Sequence, residues 1–290
     1  MDIDDPCTNV SACRHSAVAG AAASHTGGRR DSGGGTGHER LRMKLDSHDL
    51  DAISARTLGH YDSNAEDYRD GTRDHDVSQN IDVLLRHIAG APPFTILDFG
   101  CGPGRDLKVF AGLGHMALGL DGAARFAAMA RAATGCEVWQ QDFLALDLPA
   151  ERFDGVFANA ALFHVPSQEL PRVLRQLHAT LKPGGVLFSS NPHGHNEEGW
   201  NRDRYGAYHD LETWRNRMSA AGFIELDHYY RPAGRPRAAQ PWLASVWRRP
   251  ATRSSEKTVP GILIVTWPAD CTSVASAGSN WRSRKRDTTT

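Results

Sequence analysis

The 290-residue sequence has no long apolar run, no cysteine pattern and no excess of charge of either sign. None of its segments approaches the roughly 20 apolar residues that a membrane-spanning helix needs, so we expect no membrane contact. Its 5 cysteines are scattered without a Cys-x-x-Cys pair, which predicts neither a zinc site nor a disulfide framework. A formal net charge of -1 argues against a general nucleic-acid surface. These absences predict a soluble protein of the cytoplasm and leave its oligomeric state open.

Both ends of the chain lack apolar periodicity. Residues 1–45 are rich in Ala, Gly, Ser, His and Arg, and residues 250–290 are rich in Ser, Thr and Arg. Such segments bury too little surface to offset the entropy of ordering them. The acidic opening MDIDD argues against a secretory signal, and Met43 is an alternative start. We therefore predict disordered ends around one domain at residues 46–249.

The middle of the chain alternates short apolar runs with helical patterns. FTILDF, HMALGLD, CEVWQQD, FDGVFAN and GVLFSSN are apolar on both faces, as expected of strands in a covered parallel sheet. The best helical pattern is SQELPRVLRQLHATLKPGG, which Ser167 would cap and Pro183 would end. One further helix and the strands FIELDHYYR and WLASVWRR follow. The alternation predicts an α/β fold, a doubly wound Rossmann-like sheet of seven mostly parallel strands with helices on both faces.

Acidic and amide side chains stand where the predicted strands end. The first four strands end at Asp98, Asp121, Asp142 and Asn159. In an open parallel sheet, ligands bind outside the carboxyl ends of the strands, so these side chains would share one rim. The alternative is that each acid caps the helix that follows it.

A glycine-rich turn, DFGCGPG, follows the first strand and includes Gly100, Gly102 and Gly104. Its Gly-x-Gly-x-Gly spacing differs from the GxGxxG of dinucleotide sites, and no GK[ST] follows as in a P-loop. Asp98 beside the turn would repel a phosphate but suits an ammonium group, hydroxyls or amides. The combination predicts a site for a nucleoside that carries positive charge.

DFGCGPG, GLDGAARFAAMA, QQDFLALDLPAERFDGVFANAALFHV and LHATLKPGGVLF resemble the successive motifs of class I S-adenosylmethionine-dependent methyltransferases. The likeness covers about residues 55–248 and is strongest to the small-molecule branch that includes ubiquinone and menaquinone C-methylases. It implies S-adenosylmethionine as the cofactor. Asp98 would help to hold the amino group of its methionine part, Asp121 its ribose hydroxyls and Asp142 its adenine amino group.

The resemblance also implies the rest of the cofactor site. The three glycines of the turn would let the backbone approach the methionine part. Phe143 would supply an apolar wall, and Asn159 with Ala160 would line the methionine end. The implied cofactor site therefore comprises Asp98, Gly100, Gly102, Gly104, Asp121, Asp142, Phe143, Asn159 and Tyr61.

His164, five residues beyond Asn159, is the candidate general base, needed only if the acceptor must lose a proton. The alternative is a histidine that packs beneath the loop or contacts the cofactor backbone. No metal is expected, because His193 and His195 in a polar loop match no definite ligand spacing.

Two polar segments are candidates for the acceptor site. Residues of about 55–90 would fold over the cofactor as a lid, or form a solvated amphipathic helix. A long loop follows the fifth strand, and long loops in compact domains are often functional. The candidate acceptor residues from the two segments are Tyr68, His75, Gln79, Trp200 and Tyr205.

The favoured function is methyl transfer to a small molecule. The sequence NAALFH after the fourth strand is not the [ND]PP[YF] of amino-methyltransferases, and no Pro-Cys nucleophile for cytosine chemistry stands there. An RNA or protein acceptor stays open, although no basic stripe with interleaved aromatics supports it. A nicotinamide-dependent oxidoreductase and a non-catalytic cofactor-binding protein are the alternatives from other classes.

Overall fold

A computed structural model describes residues 44–251. The predictions for residues 1–43 and 252–290, including disorder and the start at Met43, lie outside the described residues. The helices are α1 Ser47–Ser63, α2 Ala65–Thr72, α3 Ser78–His87, α4 Arg105–Gly112, α5 Ala124–Thr134, α6 Leu170–Thr180 and α7 Leu211–Ala220. The strands are β1 Thr95–Phe99, β2 Met116–Asp121, β3 Val138–Gln140, β4 Phe153–Asn159, β5 Leu181–Pro192, β6 Glu197–Asn201, β7 Arg204–Tyr208, β8 Ile224–Arg231 and β9 Trp242–Arg248.

Seven of these strands form one sheet in the order β3-β2-β1-β4-β5-β9-β8. The first five strands in this spatial order, β3, β2, β1, β4 and β5, are parallel to one another. Strand β9 runs antiparallel to both β5 and β8. Helices α4, α5 and α6 connect β1 to β2, β2 to β3 and β4 to β5, whereas the connection from β3 to β4 contains no helix. The predicted fold class is confirmed.

Alternate residues of the central strands face opposite layers of helices. In β1, Leu97 packs in the cluster that includes residues of α6 and α7, whereas Ile96 packs with residues of α3 and α4. Phe157 of β4 and Phe188 of β5 stack with their ring centroids 5.0 Å apart. Because both faces are covered, the strands are apolar along their whole length rather than alternating.

The register brings four strand ends to one rim of the sheet. Asn159 at the end of β4 pairs with Ser190 of β5. Trp242 at the start of the antiparallel β9 pairs with Pro192 on one side and with Arg231, the last residue of β8, on the other. Because β9 is antiparallel, its first residue lies at the same rim as the carboxyl ends of the neighbouring strands β5 and β8.

Helix α6 begins later than the sequence predicts. Leu170 is its first residue, Glu169 precedes it, and no side chain caps it. The predicted cap, Ser167, instead donates its amide to Glu198 and accepts a bond from Arg217 at its carbonyl. The helix ends at Thr180, and β5 begins at once, ahead of the predicted stop at Pro183. Tertiary partners thus replace the local cap that the sequence pattern favoured.

Two strand predictions also needed correction. β3 is only three residues long and ends at Gln140, so Asp142 lies two residues beyond the strand rather than at its end. The segment after β5, which was predicted as a loop, contains the antiparallel pair β6–β7. Five consecutive residues of β6 pair with β7, so this polar segment is a hairpin with its own hydrogen-bonded ladder.

Candidate active site

The glycine turn after β1 is held against β2 by its own backbone. The amides of Gly100 and Cys101 both donate to the carbonyl of Leu120, at 2.8 and 3.0 Å. Gly100 has a φ of 76°, and a Cβ there would lie 2.6 Å from the Cβ of Ala161. This position therefore requires glycine both for its conformation and for the close approach of the loop after β4.

Gly104 serves the turn in another way. It precedes α4 with a φ of 94°, and a Cβ there would lie 2.9 Å from the Cα of Ala130 in α5. The absence of a side chain thus lets α4 and α5 approach. Gly102 and Gly100 line the two cavities described below, whereas Gly104 lines neither.

Asp98 is enclosed behind the glycine turn, with 2% of its surface exposed. Its carboxylate accepts a bond from the backbone of Leu107 in α4, but its Oδ2 atom has no partner among the described residues. Burial, reinforced by the nearby Asp106, raises the pKa of Asp98 well above its usual range. Asp98 lines neither of the two cavities described below; a cation that reached it would favour the carboxylate form and supply the missing donor.

Asp121 at the end of β2 joins two backbone segments. Its Oδ2 accepts from the amide of Gly102 at 2.8 Å, and its Oδ1 accepts from the amide of Ala123 at 2.9 Å, just before α5. Burial raises its pKa to about 6. Each carboxylate oxygen can accept more than one bond, so these contacts leave acceptor capacity toward the cavity. The alternative predicted for the rim acids, a cap on the following helix, is not realised here, because Ala123 precedes α5 and no side chain caps that helix.

Asp142 connects the rim to α1. Its Oδ1 accepts from the amide of Leu144 at 2.8 Å, and its Oδ2 accepts a short bond from the hydroxyl of Ser54. The next residue, Phe143, stacks on Phe99 with ring centroids 4.3 Å apart. The apolar ring and the acid thus lie side by side at the same wall.

Two helices close over these acids and leave a first cavity of about 80 Å³. Tyr61 of α1 and Tyr68 of α2 meet edge to face at 5.6 Å, and both pack against Phe126 of α5. Asp121 and Asp142 lie in the opposite wall. Ligand pockets usually enclose about 300 Å³ or more, so a nucleoside would have to displace these rings.

His164 forms part of the wall beside Tyr61. Its Nδ1 lies 2.7 Å from the carbonyl oxygen of Tyr205, which can only accept, so Nδ1 carries the proton. Its Nε2 is then the acceptor for the hydroxyl of Tyr61, also at 2.7 Å. Burial lowers the pKa of His164 to about 4. The ring is therefore neutral near pH 7, and both of its nitrogens are engaged.

A second, larger cavity of about 470 Å³ lies on the other side of Tyr68. Gly100, Gly102, Ala160 and Tyr68 line both cavities. Ala160 has a φ of 58°, in the left-handed region that costs a non-glycine residue about 1–3 kcal/mol. Such strain is typical of functional sites, where the surrounding structure holds the backbone in place.

A chain of side-chain hydrogen bonds fixes the amide at the end of β4. Tyr229 of β8 donates to Asn80 at 2.8 Å, and Asn80 donates to the Oδ1 of Asn159 at 3.0 Å. The Nδ2 of Asn159 points to Asp106, 3.4 Å away. Burial raises the pKa of Tyr229 to about 12, which keeps its proton available for this chain.

Of the remaining candidate acceptor residues, one lines the second cavity and the others line neither cavity. His75 lines the second cavity, whereas Gln79 is exposed on α3 and lines neither cavity. Trp200 lies under the guanidinium of Arg56, and Tyr205 contributes its backbone carbonyl to His164. Neither Trp200 nor Tyr205 lines either cavity.

The candidate metal residues of the polar loop do not form a ligand cluster. His193 and His195 have ring centroids 6.1 Å apart. Among residues 44–251, the potential ligands that lie close enough to share an ion are Asp46, His48 and Asp49, all exposed at the start of α1. In that same part of the chain, no helix is long and apolar enough to cross a membrane.

Comparison with known proteins finds similarity to methyltransferases. Residues 96–185 match the family model described as "Methyltransferase domain". Over 118 residues, 39% of this chain and 45% of the relative, the sequence is 35% identical to a trans-aconitate 2-methyltransferase of Azoarcus sp. (strain BH72). It is 28% identical over 137 residues, 47% of this chain and 50% of the relative, to a malonyl-[acyl-carrier protein] O-methyltransferase of Pseudescherichia vulneris. The matched region thus spans about half the length of these curated relatives.

Among solved structures, the fold is similar to that of a Burkholderia thailandensis 1,6-didemethyltoxoflavin-N1-methyltransferase, solved with 1,6-didemethyltoxoflavin and S-adenosylhomocysteine. The TM-score is 0.59 at 23% identity, with 72% of this chain and 93% of that chain covered. The family match and the shared fold therefore support a class I S-adenosylmethionine-dependent methyltransferase domain around residues 96–185, with S-adenosylmethionine as its cofactor. The narrower resemblance to quinone C-methylases stays a prediction.

The residues present fit this cofactor. The buried Oδ2 of Asp98 lacks a donor that an amino group would supply, and the turn at Gly100 leaves no room for a side chain. Asp121 and Asp142 offer acceptors in the first cavity, beside the ring of Phe143.

Several site residues were missed by the sequence analysis. Ser54 and Phe126 lie in helices whose patterns give no indication of a ligand. Arg231 and Trp242 lie at the ends of predicted strands, but the direction of those strands was unknown. Knowing that β9 is antiparallel would have placed both at the rim.

Proposed function

We propose that this protein transfers a methyl group from S-adenosylmethionine to a small-molecule acceptor. The observation that carries the proposal is the pair of cavities that share Gly100, Gly102, Ala160 and Tyr68 in their walls. The first cavity contains two rim acids suited to a nucleoside, and the second contains a mixed polar and aromatic wall suited to an acceptor. Donor and acceptor would thus meet at the shared wall.

When bound, the cofactor supplies an activated methyl group on a sulfonium. The protein's own residues have to bind and orient the two reactants and keep water out, since alignment supplies much of the rate in a displacement of this kind. Asp98, Asp121 and Asp142 would hold the donor. Asn159, whose amide is oriented by Asn80 and directs its Nδ2 to Asp106, would line the second cavity beside the donor.

We assign His164 a positioning role in this proposal. A general base has to receive a proton from the acceptor, but the Nε2 of His164 already accepts from Tyr61 and its Nδ1 donates to Tyr205. These contacts connect α1 to the β6–β7 hairpin. The histidine therefore orients Tyr61 in the wall of the first cavity.

The N-terminal helices act as a lid in this proposal. α1 contacts the rim through Ser54 and Asp142, the hairpin through Thr57 and the amide of Tyr205, and α5 through Asp62 and the amide of Arg125. These contacts cover the first cavity. Opening the lid admits the donor, and closing it excludes water.

Calorimetry tests donor binding first. We expect S-adenosylmethionine to bind the full chain and NAD not to bind, because the rim acid Asp98 and the Gly-x-Gly-x-Gly turn disfavour a diphosphate. Binding of NAD with no binding of S-adenosylmethionine would instead support the oxidoreductase alternative.

Transfer is tested with a donor labelled in its methyl group. Amine, phenol, thiol and carboxylate acceptors are incubated with the full chain, and labelled product is separated from unreacted donor. Transfer to any of these acceptors supports the proposal; donor binding without transfer to any of them, or transfer only to RNA or protein, contradicts it. The substrates named for the relatives, trans-aconitate and a malonyl group, support a small acceptor. A cytoplasmic location stays a prediction.

A further inference from the structure

The second cavity contains two arginines in different electrostatic states. Arg105 is neutralised by its neighbour Asp106, to which it donates two bonds of 2.7 and 2.9 Å, and it donates a third to the carbonyl of Thr72. The two side chains are 25% and 10% exposed, so this pair is partly shielded from water. Arg105 therefore contributes little net charge to the cavity.

Arg231 has no such partner. Its Nη2 donates to the backbone carbonyl of Asp76 at 2.9 Å, and among the described residues it forms no ion pair with a carboxylate. Its Nε is buried and lacks a hydrogen-bond partner in the same part of the chain. A buried donor left without a partner is costly, so a ligand that supplied an anionic oxygen here would gain stability.

The carboxylate of Asp76 also lines this cavity, but it forms no ion pair with Arg231 among the described residues. It is exposed, and its Oδ1 accepts from the amide of Ser78 at 2.9 Å, at the start of α3. The side-chain hydrogen bond from Ser78 and the bond from its amide lower the pKa of Asp76, and the charge of Arg231 helps to lower it. The acid thus belongs to a local turn at the mouth, and the guanidinium of Arg231 is left facing the cavity that it lines.

The rest of the wall favours a flat acceptor. The rings of Tyr68 and Trp242 and the prolines Pro103, Pro232 and Pro241 supply apolar surface around the cavity. Arg231, which forms no ion pair among the described residues, matches among such walls a planar molecule with one anionic group. A phosphate dianion matches less well, because Asp106 and the buried Asp98 stand close to the glycine turn.

We propose that the second cavity binds an acceptor through a carboxylate that pairs with Arg231. This inference rests on the proposed function and adds the chemical class of the acceptor. The carboxylate serves recognition, and a planar guanidinium fork can receive it with two hydrogen bonds. The inference leaves open which atom receives the methyl group.

Calorimetry on the full chain saturated with S-adenosylhomocysteine tests the inference. The probes are trans-cinnamate and benzoate, each compared with its neutral amide, and phenyl phosphate serves as the phosphate comparison. We expect at least one carboxylate to bind and its neutral counterpart to bind at least tenfold more weakly. Arg231→Gln should remove that preference, and Arg231→Lys should retain part of it.

Arg235→Gln is the matched control, since Arg235 is exposed in the segment that follows β8. It should bind every probe as the natural chain does, and all variants should bind S-adenosylhomocysteine equally. Equal binding of carboxylates and neutral counterparts, an unchanged Arg231→Gln, tighter binding of phenyl phosphate, or binding of no carboxylate would overturn the inference. A natural chain that fails to bind S-adenosylhomocysteine would instead refute the proposed function itself.

Discussion

The two cavities differ in how their polar groups are satisfied. In the first, the carboxylates of Asp121 and Asp142 accept bonds from backbone amides and from the lid, and the space is covered. In the second, Arg231 lines a larger space without a carboxylate partner among the described residues. Backbone geometry thus shapes the donor side, whereas side chains at strand ends shape the acceptor side. Substitutions on the two sides should therefore have different consequences.

Gly100→Ala should have the largest effect. The substitution places a Cβ 2.6 Å from the Cβ of Ala161 at a φ of 76°. We expect donor affinity, measured by calorimetry, to fall about 100-fold, which is about 2.8 kcal/mol. Gly112→Ala is the control, because a Cβ there meets nothing within 4 Å. Normal donor binding by Gly100→Ala would show that the turn is not shaped for the donor.

His164→Gln should change how stability depends on pH. The pKa of His164 is lowered from 6.5 to about 4, so its neutral form favours folding, and this contribution is lost as pH falls from 6.5 toward 4. Over that interval the natural chain should lose up to about 3 kcal/mol more unfolding free energy than the variant. Urea titrations at several pH values measure the difference.

The control for this experiment is His48→Gln, at an exposed position at the start of α1. Its pH dependence should follow that of the natural chain. Parallel curves for the natural chain and for His164→Gln would mean that the pKa of His164 is the same in the folded and the unfolded chain. The base hypothesis for His164 would then regain support.

Tyr61→Phe tests the connection between the lid and the hairpin. It removes the hydroxyl that donates to the Nε2 of His164 and leaves a partly buried acceptor without that donor. We expect a loss of about 1–2 kcal/mol in unfolding free energy and faster hydrogen exchange along α1. Tyr230→Phe in β8 is the control. Unchanged hydrogen exchange in α1 would mean that the hydrogen bond between Tyr61 and His164 does not hold this helix in place.

Ser54→Ala should have the smallest effect. The hydroxyl of Ser54 donates a hydrogen bond to the Oδ2 of Asp142. The carboxylate of Asp142 is predicted to accept a hydrogen bond from the adenine amino group of S-adenosylmethionine. Removing the Ser54 hydroxyl frees that acceptor, so donor affinity should rise, by less than about fivefold. Calorimetry measures it, with Ser63→Ala as an exposed control. A loss of affinity would mean that Ser54 contacts the donor instead of competing with it.

The sequence could place the residues of the proposed donor side at one edge of the sheet because their determinants are local. Asp98, the glycine turn and Asp121 follow short apolar runs, and parallel strands of a covered sheet leave few choices for where their ends lie. Even there, the pattern could not decide whether each acid contacts a ligand or caps the following helix. In the structure, Asp121 accepts bonds from backbone amides and also lines the first cavity.

The residues of the proposed acceptor side could not be placed from the sequence, because their positions depend on contacts between distant parts of the chain. Arg231 ends β8 and Trp242 begins β9, and only the antiparallel pairing of β9 brings both to the rim. His164 looked like a base because its position after β4 was known, but its partners come from α1 and from β7, far along the chain. Ser167 was predicted to cap α6, but its backbone bonds to Glu198 and Arg217, which are distant in sequence.

The lid over the first cavity also has a consequence for the order of events in turnover. In the proposed enzyme, donor and spent nucleoside would exchange through the first cavity when α1 leaves the rim, whereas the acceptor would bind in the second cavity. The proposed enzyme would then take the donor first and release the nucleoside last. Escape of the nucleoside, gated by the contacts of α1, would set the maximal rate, as lid opening does in many enzymes.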